Sequence, residues 1–206
     1  MTLIYGLGAL ALVFLVWFTT GIIRIGSISD GKQIGDRSET ALILIDLQSV
    51  FWEDGPYSDA SKTEAKAAIL EEIEEAKSKG LPIIALRQEW SIPSTKMVAR
   101  LTMKSQAIEG TPGTELAEPF ADLADHVLVK RVQDGFETGE LDQLLATLNV
   151  GKLRLVGLDF NYCVQKTALA ARKRGFEVTI IKRGTLSAAP TDQSEMRMAS
   201  QNIALQ

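Results

Sequence analysis

The hydrophobic pattern divides the chain into an uncharged opening and an alternating remainder. The 22 positions from Thr2 to Ile23 carry no charge. As a helix rising 1.5 Å per residue they would span roughly 33 Å, enough for a hydrocarbon core about 30 Å thick. Apolar residues occupy the whole circumference, whereas a core helix would confine them to one stripe. Tyr5 and Trp17 lie toward the two ends, where amphipathic rings favour the membrane interface. A cleaved signal peptide would want a basic start and a small-x-small cleavage site, and VWFTTG supplies neither. Residues 1–24 therefore predict a single transmembrane anchor. Arg24, Lys32 and Arg37 follow it, which by the positive-inside tendency places the rest of the chain in the cytoplasm. Residues 25–39, rich in Gly, Ser and Asp, predict a linker.

From residue 40 onward, five apolar runs read as strands: 41–47, 81–87, 126–131, 152–158 and 176–182. Their continuous Ile/Val/Leu character suits strands covered on both faces. Helical patterns separate them. The clearest is 61–80, acidic early, lysine-rich late and closed by Gly80; 140–151 and 163–175 also end in glycine. A last helix is expected near Thr191, after Pro190. Such alternation implies α/β architecture, a mostly parallel sheet between two helix layers with right-handed crossovers. Segment 88–125 breaks the alternation and predicts a long irregular loop facing the substrate.

Composition narrows the chemistry. The chain has 206 residues, 46% hydrophobic and 23% charged, which fits one globular domain of residues 40–206 plus the appendage. A net charge of -4 argues against a nucleic-acid partner. One cysteine and one histidine exclude an internal disulfide and leave no Cys-rich or His-cluster metal site, so neither metal nor cofactor is expected.

In open α/β sheets, ligands bind beyond the carboxyl ends of the strands. Asp46 closes the first run, Lys130 closes the third, and Cys163 follows the fourth across the turn DFNY. An acid, an amine and a thiol thus share one edge. At the start of a helix, Cys163 would meet unpaired N–H groups and the positive dipole end, which lower a thiol pKa. Taken singly, each residue also has an inert reading: Cys163 as a small buried hydrophobe, Asp46 as a strand-end cap, Lys130 as a solvated strand end. His126 falls at the opposite edge and reads as structural.

The segment ALILIDLQSVFW resembles the first-strand signature of the isochorismatase-like cysteine hydrolases, a group that includes nicotinamidases and other small-amide hydrolases. VLVKRVQDGFETGELDQLL is similar to that family's lysine segment, and GLDFNYCVQKTALAARKRGFEVTII to its nucleophile segment. EGTPGTEL resembles the loop ahead of the lysine strand. The matches occur in family order across about residues 40–185. The resemblance implies a three-layer α/β/α fold and a Cys163–Asp46–Lys130 triad that cleaves a C–N bond through a covalent acyl-enzyme. It also implies a cis peptide at Leu158–Asp159, with the backbone N–H groups of Asp159 and Cys163 forming an oxyanion hole. Gln48, Phe51 and Trp52 would wall the pocket, together with Trp90 and Phe136. The partner would be a small-molecule substrate, and a homo-oligomer is common among relatives.

The chain also departs from the family pattern. Where nicotinamidases carry an Asp-x-His metal arrangement, RQEW places Gln88 and Trp90, an amide and an indole that are no zinc or iron ligand set. Asp134–Gly135 replaces a small Ser-Ala pair, and Asp159 brings a carboxylate to the oxyanion turn. Family precedent includes vinyl-ether hydrolysis, but members of that type can lack the cysteine, so Cys163 points to amides. The competing reading keeps the fold without catalysis, as a scaffold or binding protein at the membrane. A redox-sensing thiol would want a resolving cysteine, and the chain has none.

Overall fold

The computed structural model describes the backbone from Thr2 to Gln206 and the side chains from residue 8 onward, so Tyr5 lies outside the described side chains. Six strands form one parallel sheet: β1 (Glu39–Ile45), β2 (Ile83–Gln88), β3 (His126–Lys130), β4 (Val150–Gly157), β5 (Glu177–Thr185) and β6 (Ala204–Leu205), in the order β3-β2-β1-β4-β5-β6. The helices are α1 (Thr2–Ile25), α2 (Ser49–Trp52), α3 (Asp59–Ser78), α4 (Pro93–Thr102), α5 (Glu140–Thr147), α6 (Gln165–Lys173) and α7 (Asp192–Ala199).

The pleat of β1 explains the layers. Ala41, Ile43 and Ile45 face a core completed by α5, α6 and α7, through residues such as Leu141, Leu145, Ala168 and Met198. Leu42 and Leu44 face the other way, onto Ala65, Ile69, Ile73 and Ala76 of α3. Both faces are dry, which is why the run carries no alternation. β3 departs from this reading: as an edge strand it is only half covered, and Val127 is exposed. β6 escapes the sequence pattern. It is two residues long and pairs with Thr179 and Ile180, too short to leave a pattern.

Two further readings change. Segment 88–125 is not a featureless loop; it contains α4, opened by Pro93 at its first turn, and a 3-10 turn at Glu118–Phe120. Of the expected linker 25–39, Ile25 ends α1 and Glu39 opens β1; residues 26–38 between them have no regular structure, yet they are docked rather than free. Ser29 N donates to Asp134 Oδ2 at 2.7 Å. The buried Arg174 donates to Ser29 O, Ser29 Oγ and Asp30 O at 3.0–3.1 Å, and Ile34 N donates to Arg174 O. Ile28 and Ile34 pack on the core between sheet and helices. Ser, Gly and Asp forecast irregular backbone but not whether that backbone finds partners.

α1 is long and apolar enough to cross a membrane, and only 11% of its window Gly8–Ile25 is buried in the fold. A core helix would be covered along its length. Its last turns do touch the domain. Gly21 and Ile25 are buried, Phe18 is half-buried, and a Cβ at Gly21 would lie 2.8 Å from Ser94 O of α4. Only glycine lets the two helices approach this closely.

Candidate active site

The carboxyl ends of β1, β3 and β4 bring three side chains together. Asp46 follows β1 in the left-handed region, φ 54°, with its N–H held by Leu86 O at 2.9 Å. An L-residue there is uncommon and costs backbone strain that the surrounding sheet must hold. Gly157 closes β4 beside it at φ +119°, where a Cβ would fall 2.1 Å from Ile45 O. This glycine lets β4 reach the end of β1, so the turn carrying Cys163 meets Asp46. The peptide Leu158–Asp159 is cis. Cys163 then lies inside a wide π-type turn, Phe160–Val164, and α6 begins two residues later than the glycine-bounded pattern suggests.

Lys130 joins the three. Its Nζ lies 3.0 Å from Asp46 Oδ2 and 3.3 Å from Cys163 Sγ, and it also donates to Gln88 Oε1 at 2.5 Å and Val132 O at 3.3 Å. Asp46 is 2% exposed, Lys130 1% and Cys163 9%, so all three side chains are buried together. Asp46 Oδ1 is buried with no hydrogen-bond partner. An orphan carboxylate oxygen beside a thiol is an acceptor waiting for a proton.

The electrostatics correct one expectation. Burial and the neighbouring Asp46 charge push the Cys163 thiol well up, with Lys130 opposing. A helix start contributes about 0.3–1 kcal/mol, whereas full burial can move a pKa by several units at about 1.36 kcal/mol each, so burial wins. Burial also raises the Asp46 carboxyl, against the pull of Lys130. Lys130 meets the same desolvation, but Asp46 and Cys163 outweigh it and hold its ammonium charged. The resting thiol keeps its proton beside a fixed cation and a base of raised affinity.

The remaining predicted residues fall into several places. The Asp159 carboxylate is engaged on both oxygens, Oδ1 by Asn161 N at 2.8 Å and Oδ2 by Ala188 N at 2.8 Å and Tyr57 Oη at 3.3 Å. Gln48 is fully buried; its Oε1 accepts from Gln88 N at 2.6 Å, and its Nε2 donates to Gln88 O and Thr114 O. It braces β2 and the following loop. Phe136 is core, with Phe176 at 5.7 Å and the Arg174 guanidinium 4.6 Å from its ring centre. Trp52 packs edge-on against Phe120, while Phe51 and Trp90 meet in an apolar cluster with Phe18, Ile25, Val98 and Met103. Asp134 is buried and ties its own turn to residue 29, accepting from Phe136 N at 2.8 Å and from Ser29 N.

Gln88 and Tyr57 are contributors that the sequence reading did not assign to the site. Gln88 ends β2 one residue past the predicted run, so the strand-end rule applied one position further would have found it. Tyr57 sits on a loop with no pattern to mark it. Gln88 also decides the fit of a metal of the nicotinamidase type. Its Oε1 is taken by Lys130 Nζ and its Nε2 faces Lys130 O at 3.3 Å. Trp90 is buried in the apolar cluster, and Glu89 pairs with Arg87 at 2.7 Å. Among the described residues no group of three His, Cys, Asp or Glu is placed to hold a metal ion. These residues do not fit that group.

Several solved structures share this architecture. Pyrazinamidase of Pyrococcus horikoshii, solved in complex with zinc, is 25% identical with a TM-score of 0.68, over 82% of this chain and 99% of that one. N-carbamoylsarcosine amidase from Thermoplasma acidophilum is 20% identical at a TM-score of 0.70, covering 82% and 96%. A cysteine hydrolase from Pseudomonas syringae pv. phaseolicola is 21% identical at 0.71, covering 81% and 87%. The isochorismatase domain family model matches residues 40–204, so α1 and the docked stretch after it lie outside the shared unit. With the parallel sheet and the matched sequence in agreement, the chain belongs to the isochorismatase family of hydrolases.

Proposed function

We propose that this protein is a membrane-anchored, metal-independent cysteine hydrolase that cleaves the C–N bond of a small amide. One observation carries the reading: Lys130 Nζ touches both Asp46 and Cys163 Sγ, while Asp46 keeps one buried oxygen unpartnered. In the first step the thiol proton passes to Asp46 Oδ1 as Sγ attacks the carbonyl carbon. The N–H groups of Asp159 and Cys163 receive the developing oxyanion. Support for that assignment comes from the neighbouring donors: the N–H groups of Tyr162 and Val164 are both spent on Asp159 O. The Asp159 carboxylate is engaged by its own partners. Asp46 then returns the proton to the departing nitrogen, leaving a thioester on Cys163. Water, deprotonated by Asp46, attacks the thioester and releases the acid and the thiol. Lys130 stays charged throughout and orients the carboxylate. Amide chemistry agrees with the names of the pyrazinamidase and the carbamoylsarcosine amidase that share the fold.

The membrane reading rests on α1, whose exposed Leu10, Leu12, Val13, Phe14, Leu15 and Val16 would be costly in water. Its closing turns pack on α4, a contact that a cleaved signal peptide would have no reason to build. Arg24 after the span supports a cytoplasmic hydrolase domain, by the positive-inside tendency.

To test the hydrolase, the full chain is incubated with a pool of small amides, quenched in acid and weighed intact. An acyl mass on Cys163 that is absent in Cys163→Ala is the expected result. Turnover that persists in Cys163→Ala refutes the nucleophile.

A further inference from the structure

The anchor and the active site occupy the same side of the molecule. Trp90 lies just beyond the carboxyl end of β2 and Gln133 just beyond that of β3, and both meet the end of α1. Gln133 N donates to Ile25 O at 3.0 Å, and Trp90 packs in one cluster with Ile25 and Phe18. The loop holding Gln133 also supplies Val132 O to Lys130 Nζ. Phe51, next to the buried site, joins that cluster. The anchor is therefore built into the wall around the triad. The docked residues 25–34 leave the domain no free tether on which to turn away, because Arg174 and Asp134 hold them.

α4 packs along the end of α1 and presents a second face outward. Leu101 on that face is 64% exposed, with Arg100 beside it and Lys104 following the helix, both exposed; Arg24 is exposed on the last turn of α1. None of these three cations forms an ion pair among the described residues. An apolar side chain flanked by free cations, continuous with a span, suits the headgroup layer of an anionic bilayer.

We infer that the active-site edge rests on the bilayer and takes its substrate from it, an amphiphilic amide whose apolar part stays in the membrane while its carbonyl reaches Cys163. This rests on reading α1 as an anchor and Cys163 as the nucleophile. The apolar wall of Phe18, Phe51, Trp90 and Met103 would accept such a tail, and a carbonyl at headgroup depth would approach the sheet edge that carries Cys163.

The test uses the single native thiol. The full chain is reconstituted in vesicles of phosphatidylcholine and phosphatidylglycerol and alkylated with iodoacetamide or with N-dodecyl iodoacetamide. The control is Ser78→Cys in a Cys163→Ala background, whose thiol sits at the far end of α3. The ratio of tailed to short reagent rates should be at least tenfold higher at Cys163 than at the control. Arg100→Glu with Leu101→Glu should pull that ratio toward the control while the iodoacetamide rate stays unchanged. Equal ratios at the two thiols overturn the proposal. Flotation of the vesicles at high pH separates the causes. A chain that floats without a Cys163 preference keeps its anchor and loses the bilayer-fed site, whereas a chain that washes off loses both. The acyl-mass test above decides the hydrolase independently of either result.

Discussion

At the scale of single residues, burial is the larger cause that keeps the proton on the Cys163 thiol, and Asp46 is the next. Its charge is one of the two causes holding the Cys163 proton on, and Lys130 pulls the other way. Asp46→Asn removes the raising charge and keeps the lowering one, so the thiol pKa falls. Iodoacetamide should then label Cys163 faster at pH 7–8 than in the parent chain. Amide turnover should drop by about 10²–10⁴, the usual contribution of a general base. Rates of labelling and of turnover against pH check both halves, and slower labelling in the variant would show that Asp46 does not act on the thiol by charge. Gln88 illustrates what a residue type hides. As an amide at the end of β2 it looks like a lost metal ligand, yet it is a full partner of Lys130.

At the scale of elements, the stretch from Ile25 to β1 is part of the domain's structure. Arg174 is 2% exposed and spends its guanidinium on Asp142, Ala170 O and the backbone and hydroxyl of residues 29 and 30. Arg174→Met leaves those acceptors without their donor. Breaking a buried charged network costs about 3–5 kcal/mol, and the partial exposure of Asp142 places this case toward the lower end. Urea unfolding of the detergent-solubilised chain should show that loss, and proteolysis should newly cut within residues 25–34. A loss below about 1 kcal/mol would mean the stretch is bound by its apolar residues Ile28 and Ile34 alone.

For the whole molecule, buried titrating groups set the pH dependence of stability. Burial raises Asp46, Asp134 and Asp159 above the ordinary 3.8, so the folded state binds their protons more tightly than the unfolded chain does. Their contribution falls as pH rises from 3.8 through the raised values. Cys163 behaves alike above its ordinary 9.0. Lys130 is raised above 10.5, so its stabilisation is complete below 10.5 and is lost as pH climbs through the folded value. The carboxylates lowered by surface partners, Asp30, Glu75 and Glu195, oppose this trend but are solvated and weigh little. These buried groups act in one direction, and among the groups that burial shifts only the half-buried Lys166, whose pKa it lowers, opposes them, at alkaline pH. The Tm should be higher at pH 5 than at pH 8 and should fall steeply above about pH 10; scanning calorimetry checks it, and a Tm that rises from pH 5 to 8 refutes it.

The sequence alone carries the alternation of strand and helix, and with it the class of fold. Buried strands need uninterrupted Ile, Val and Leu, and that need is written locally. It also placed Asp46, Lys130 and Cys163 on one edge, since strand ends follow from strand runs. The edge character of β3, the two-residue β6 and the helix inside 88–125 were less legible, because coverage and pairing are supplied by residues far along the chain. The packed fold settles the protonation of the thiol, through burial that no local pattern records. It decided that Gly/Ser/Asp-rich residues 25–39 are held, because their partners are Asp134 and Arg174, more than a hundred positions away. It also decided which side of the domain α1 meets, since a hydrophobic run fixes its own length and polarity but not the surface on which it lands.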